Sequence, residues 1–96
     1  MKTKIDEARE IIDVVDKEMM KLFIKRMSAC RMVAEYKIET GKPVLDSDRE
    51  ASMKEKNIEL LSSKTLEKYY LTFLEGCLKA SRDYQEDLVL KSKENK

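Results

Sequence analysis

The sequence predicts an all-α chain of three helices, very long, short and long. Three observations carry that prediction. Apolar residues recur at alternating steps of three and four from Ile5 to Tyr36, which is the seam of an amphipathic helix. The 96 residues include only two Gly and one Pro, and Gly41 and Pro43 fall together, so strong breaks are few. Charged residues make up 41% of the chain. Many stand four apart, as in Asp13/Lys17 and Arg31/Glu35, the spacing of solvated helix faces.

The first helix is expected from about Thr3 to Glu39. Its seam runs through Ile5, Ala8, Ile12, Val15, Met19 and Leu22 and continues at Ala29, Val33 and Tyr36. Arg26 holds the one seam position where an apolar residue is due. Ile11, Phe23 and Cys30 widen the stripe beyond a narrow two-stranded seam. Gly41 can supply a left-handed cap and Pro43 blocks continuation. Val44-Leu45-Asp46 then crosses over. Ser47 with Glu50 three residues on has the capping-box pattern, so a second helix is expected from about Asp48 to Leu61, with Met53, Ile58 and Leu61 inward. Residues 62–65 read as a turn carrying the next cap. A third helix follows from about Leu66 to Leu90, with Tyr70, Phe73, Leu74, Cys77 and Leu78 on its apolar face. The charged tail Lys91–Lys96 is expected to fray, leaving a single domain over residues 1–90.

A first helix of this length spans over ~50 Å. The two later helices cannot cover all of its stripe. The expectation is a dimer in which the long helices pair and the core is shared between chains.

Composition narrows the partners. Twenty Lys plus Arg stand against 19 Asp plus Glu, a net charge of +1, and the signs are interleaved. That pattern argues against a nucleic-acid or membrane surface. The N-terminus lacks an apolar signal region and no run approaches membrane-spanning length, so the expected location is the cytoplasm. Cys30 and Cys77 lie far apart at stripe positions and are expected as buried free thiols. The chain has no His, which removes His-based triads and His-ligated zinc. No metal is expected.

Several polar residues stand where simpler choices were open. Arg26 and Lys37 are eleven apart, so they lie within about 20° of each other and about 16 Å apart along the helix. Two long cations so placed can grip one small anion. Arg9, seventeen residues before Arg26, is about 25 Å away and about 100° off that face, so it can serve such a site only from another copy of the chain. Asp46, Arg49 and Glu50 cluster at the start of the second helix. Ser81 and Gln85 share a face of the third helix and continue its apolar stripe. Inward polar groups need partners. Cations with a Ser hydroxyl and a Gln amide describe a pocket for a small polyanion.

Each residue also has a plainer account. Arg26 can set register, Lys37 can complement the helix dipole, and Arg9 can be a solvated cation. Asp46 and Glu50 can act as caps, and Ser81 can bond its own helix backbone. Arg82 can face solvent or add a cation at the pocket rim. Taken together, however, Arg9, Arg26, Lys37, the run Asp46-Ser47-Asp48-Arg49-Glu50 and the pair Ser81/Gln85, in order over almost the whole chain, resemble the AroQ-class (all-α) chorismate mutases.

The resemblance implies an intertwined homodimeric helical bundle with two equivalent sites, each taking Arg9 from the partner chain. It implies the Claisen rearrangement of chorismate to prephenate, in phenylalanine and tyrosine biosynthesis, with no cofactor. It assigns Lys37 and Gln85 to the ether oxygen, and Arg9 and Arg26 to the substrate carboxylates with help from Arg49 and Ser81. Glu50 and the backbone N–H of Asp46 take the ring hydroxyl. Two alternatives stand beside it: an isochorismate-pyruvate lyase on the same fold, and a non-catalytic helical dimerisation module. Glu50 and Ser81 favour the mutase over the lyase.

Overall fold

The structure, a computed structural model, describes residues 1–94. Helix α1 runs from Lys4 to Thr40, α2 from Ser47 to Leu60 and α3 from Glu67 to Glu94, with a 3-10 turn at Lys64–Leu66 before α3. No strand occurs among the described residues. The expected all-α architecture is thus the observed one, with helix ends within a few residues of expectation. No helix among the described residues is long and apolar enough to cross a membrane.

The ends of α1 follow local chemistry. Thr3 and Asp6 form a reciprocal capping box: the Asp6 N–H donates to Thr3 Oγ1 at 3.2 Å and the Thr3 N–H to Asp6 Oδ2 at 3.1 Å. Gly41 closes the helix at φ 71°, a left-handed conformation that costs a residue without Cβ nothing. The bonds from the Thr3 backbone and hydroxyl hold the Asp6 carboxyl below the usual carboxylate range. A lowered folded-state pKa stabilises the fold above the ordinary carboxylate pKa, and that stabilisation is lost as pH falls through the lowered value. Acidification should therefore melt the first turn before the rest of α1. Cα chemical shifts of Lys4–Glu7 should move toward coil in acid, and Asp6→Asn should abolish that titration.

Two expectations are corrected. The cap of α2 is Asp46, whose Oδ1 accepts from the Arg49 N–H at 3.0 Å. Ser47 is the first helical residue, so the expected Ser47/Glu50 capping box does not form. Both Asp and Ser are good caps; the choice of Asp46 leaves the Glu50 side chain free for a partner on α3. Helix α3 also ends later than the expected Leu90. α3 continues through Glu94, because its run of Lys, Ser and Glu contains no helix breaker. The tail's last two residues lie outside the described residues.

The helices meet in a defined order. Arg26 on α1 reaches Cys77 and Ser81 on α3, while Phe23, one turn earlier, shares a groove with Tyr70, Phe73 and Leu74; α1 and α3 therefore run in the same direction. Glu50 pairs with Arg82 and Lys54 with Glu75, so α2 runs antiparallel to α3. The core is small: Cys30, Ala34, Val44, Leu74 and Leu78 are its buried apolar residues. Residues 1–25 are all exposed, including Ile12, Leu22 and Phe23. The radius of gyration is 17.3 Å with extents of 62 × 28 × 15 Å, against roughly 13 Å expected for a compact chain of this length. The part of α1 before Asp16, where the groove shared with α2 and α3 begins, projects beyond the rest of its own chain.

Candidate active site

The site is built where the second half of α1 meets α3 and the start of α2. The buried positions of α3 are Leu74, Leu78, Ser81 and Gln85, one helical stripe at steps of four and three. Its first two members pack the core. The last two are polar, and their surroundings differ.

Ser81 is satisfied. Its Oγ donates to the Cys77 carbonyl at 2.9 Å and accepts from Arg26 Nη1. The same guanidinium nitrogen lies 3.5 Å from the Cys77 carbonyl oxygen and 3.9 Å from the Cys30 sulfur. Arg26 is thereby held at the α1–α3 contact by one side of its fork, with further N–H donors left for a ligand. Register and ligand binding are compatible roles for it.

Gln85 is not satisfied. The residue is 8% exposed, and its Oε1 is buried with no hydrogen-bond partner among the described residues. Burying an amide without a partner costs on the order of 1–3 kcal/mol, so such an atom marks either a defect or a place where a ligand completes the structure. Which end of an amide is oxygen and which nitrogen follows from its bonds. A ligand that accepts from the NH2 end would define it here.

Lys37 lies in the last turn of α1. Its Nζ donates to the carbonyl of Val44 at 2.5 Å, pinning the crossover to α1. One ammonium donor is so used and two remain. Gln85 stands about 6 Å beyond Ser81 along α3, and Lys37 about 16 Å beyond Arg26 along α1. The Arg26–Ser81 contact therefore puts Gln85 between the levels of the two cations.

Glu50 is half-buried in the first turn of α2, and its Oε1 accepts from Arg82 Nη1 at 2.6 Å. The hydrogen bond to Glu50 raises the Arg82 pKa above its already high ordinary value. Arg82 thus points neither to open solvent nor freely into the pocket. Asp46 and Glu50 are joined through the backbone, since the Glu50 N–H donates to the Asp46 carbonyl at 3.0 Å. Arg49 and Arg9 are exposed and form no ion pair among the described residues. Arg9 lies on the projecting N-terminal part of α1, away from the other candidates.

Arg26, Ser81, Gln85, Lys37 and Glu50 thus collect around one end of the α1–α3 contact, with Arg82 added to them. The Glu50–Arg82 pair is the feature that sequence reasoning missed. Its only signal was that Arg82 lies about 60° from Gln85 around α3, on the side that also carries Glu75.

The model of the chorismate mutase type II family matches residues 8–86, which takes in every candidate residue. The chain belongs to the chorismate mutase type II family. This is the AroQ class, so the family resemblance seen in Arg9, Arg26, Lys37, Glu50, Ser81 and Gln85 is confirmed at the level of family. Members of a chorismate mutase family are isomerases, and the fold they share is all-α, as observed. No match to a curated protein or to a solved structure was found.

An apolar groove of about 540 Å³ opens beside the candidate site, lined by Met19, Phe23, Met53, Tyr70 and Phe73 among others. Of the candidate residues only Arg26 borders it. The groove and the polar site are neighbours with different chemistry: one suits apolar side chains, the other a small anion.

Proposed function

We propose that the chain converts chorismate to prephenate at two equivalent sites in an intertwined homodimer. The observation that carries the site is the buried side chain of Gln85, whose Oε1 has no partner among the described residues and which stands between the levels of Arg26 and Lys37. In this reading the NH2 end of Gln85 and the ammonium of Lys37 donate to the ether oxygen of the substrate. That oxygen gains negative charge as its bond to the ring carbon breaks, while the enolpyruvyl methylene forms the new carbon–carbon bond. Donors fixed beforehand at a charge-developing atom need no reorganisation when the reaction occurs.

The remaining groups restrict conformation. Arg26, with Ser81 and Arg49, holds one substrate carboxylate, and Arg9 of the other copy holds a second. Glu50 and the Asp46 N–H take the ring hydroxyl. The cap bond from Asp46 fixes its own backbone, which fixes the direction of that N–H. Holding a flexible arm over the ring in a near-attack geometry removes an entropic part of the barrier.

The exposed stripe of residues 1–25, the large radius of gyration and the open apolar groove support a second copy laid along the first. Each copy then covers apolar surface that its own helices leave wet. The proposed place of work is the cytoplasm, where thiols such as Cys30 and Cys77 stay reduced.

The test is to supply purified protein with chorismate, follow its loss by absorbance and identify the product. Prephenate is expected. Because position 85 is Gln, whose donor needs no protonation, kcat should change little from pH 5 to pH 8. A rate that collapses over that interval contradicts the role given to Gln85. Salicylate and pyruvate from isochorismate, without prephenate from chorismate, would assign the chain to lyase chemistry. A well-folded dimer inert to both would leave a dimerisation module.

A further inference from the structure

We propose that Arg82 is a positioning residue for substrate binding: it holds the Glu50 carboxylate so that one oxygen is aimed at the ring hydroxyl of the bound dianion. The inference rests on the role given to Glu50 above.

The geometry supports it in three ways. Glu50 Oε1 is occupied by Arg82 Nη1 at 2.6 Å, a charge-assisted bond of short length, which leaves Oε2 to accept from a hydroxyl. The pair is also better shielded than the surface pairs of the same chain. Its side chains are 31% and 19% exposed, against 70% and 61% for Lys79–Asp83, so water screens it less. Finally, Arg82 follows Ser81 directly and precedes Gln85 by less than a turn. It ties the first turn of α2 to the segment of α3 that carries both buried polar residues.

The physical need is clear. A flexible carboxylate placed beside a dicarboxylate substrate is repelled by it and adopts many rotamers. A guanidinium bonded to the far oxygen offsets the repulsion and selects one orientation before substrate arrives. Docking of α2 alone does not explain the pair, because Lys54–Glu75 already joins the same two helices one turn further along α2.

The experiment measures KM and kcat for chorismate in Arg82→Gln, Arg82→Lys, Glu50→Ala, Lys54→Gln and the Glu50→Ala/Arg82→Gln double variant. Arg82→Gln should raise KM about tenfold with kcat changed less than about twofold, because a hydroxyl contact made equally in ground and transition states is uniform binding. Arg82→Lys should recover most of that loss. Lys54→Gln should keep the wild-type KM. In the Glu50→Ala background, Arg82→Gln should change KM by less than about twofold, the mark of two residues acting as one unit. A wild-type KM in Arg82→Gln, with Glu50→Ala impaired, overturns the positioning role alone. A wild-type KM in Glu50→Ala removes the role of Glu50 and the inference with it. An equal KM rise in Lys54→Gln, or independent losses in the double variant, reduces Arg82 to a fastener of α2 and also overturns the proposal.

Discussion

Replacing Gln85 with Met is expected to make the protein slower and more stable at once. The proposed role of Gln85 is to donate to the ether oxygen as charge develops there. Removal of one such preorganised donor lowers kcat by on the order of 10²–10³. The same side chain is 8% exposed with Oε1 unpartnered. An apolar group of similar volume removes that unsatisfied atom, so Gln85→Met should raise stability by on the order of 1–3 kcal/mol. A structural amide that merely held α3 in place would show the opposite sign, with stability and activity falling together. Thermal unfolding beside steady-state kinetics decides between them. Lys37→Ala should lose a comparable factor in kcat, but it also releases the Val44 carbonyl and loosens the crossover. The Gln85 variant is therefore the cleaner probe of chemistry.

Mixing two nearly inactive variants, Arg9→Ala and Gln85→Ala, should restore activity. Arg9 lies about 25 Å along α1 from Arg26, on the half of the helix where no residue is buried by its own chain. It can complete a site only across a dimer. When subunits exchange, half of the dimers are mixed, and each mixed dimer holds one site with both residues intact. About a quarter of wild-type activity should then return from an equal mixture. No return, with exchange proven by a tagged subunit, would mean that Arg9 serves its own chain or no site. Slow exchange is itself expected of the proposed dimer, in which intertwined long helices must partly unfold to separate. Brief denaturation and refolding of the mixture brings the partners together.

The sequence by itself determined much of this protein. The seam from Ile5 to Tyr36 and the pair Gly41/Pro43 specified α1 and its end, because helical periodicity and a left-handed cap are local properties of backbone and side-chain volume. The inward face of Leu74, Leu78, Ser81 and Gln85 was legible for the same reason. The order of Arg9, Arg26, Lys37, Glu50, Ser81 and Gln85 was enough to indicate the family.

Only the tertiary structure decided how those groups are paired. It paired Arg26 with Ser81 across 55 residues and Glu50 with Arg82 across 32. It also left Gln85 Oε1 without a partner. Pairing of this kind depends on which faces of two helices are brought together, and periodicity within one helix carries no information about that. The α2 cap shows the same limit on a smaller scale. Asp46 and Ser47 are both competent caps by residue type, and Glu50 fits a capping box with Ser47. The cap is made by Asp46, and the Glu50 carboxylate is left to take a charged partner, Arg82, on a distant helix.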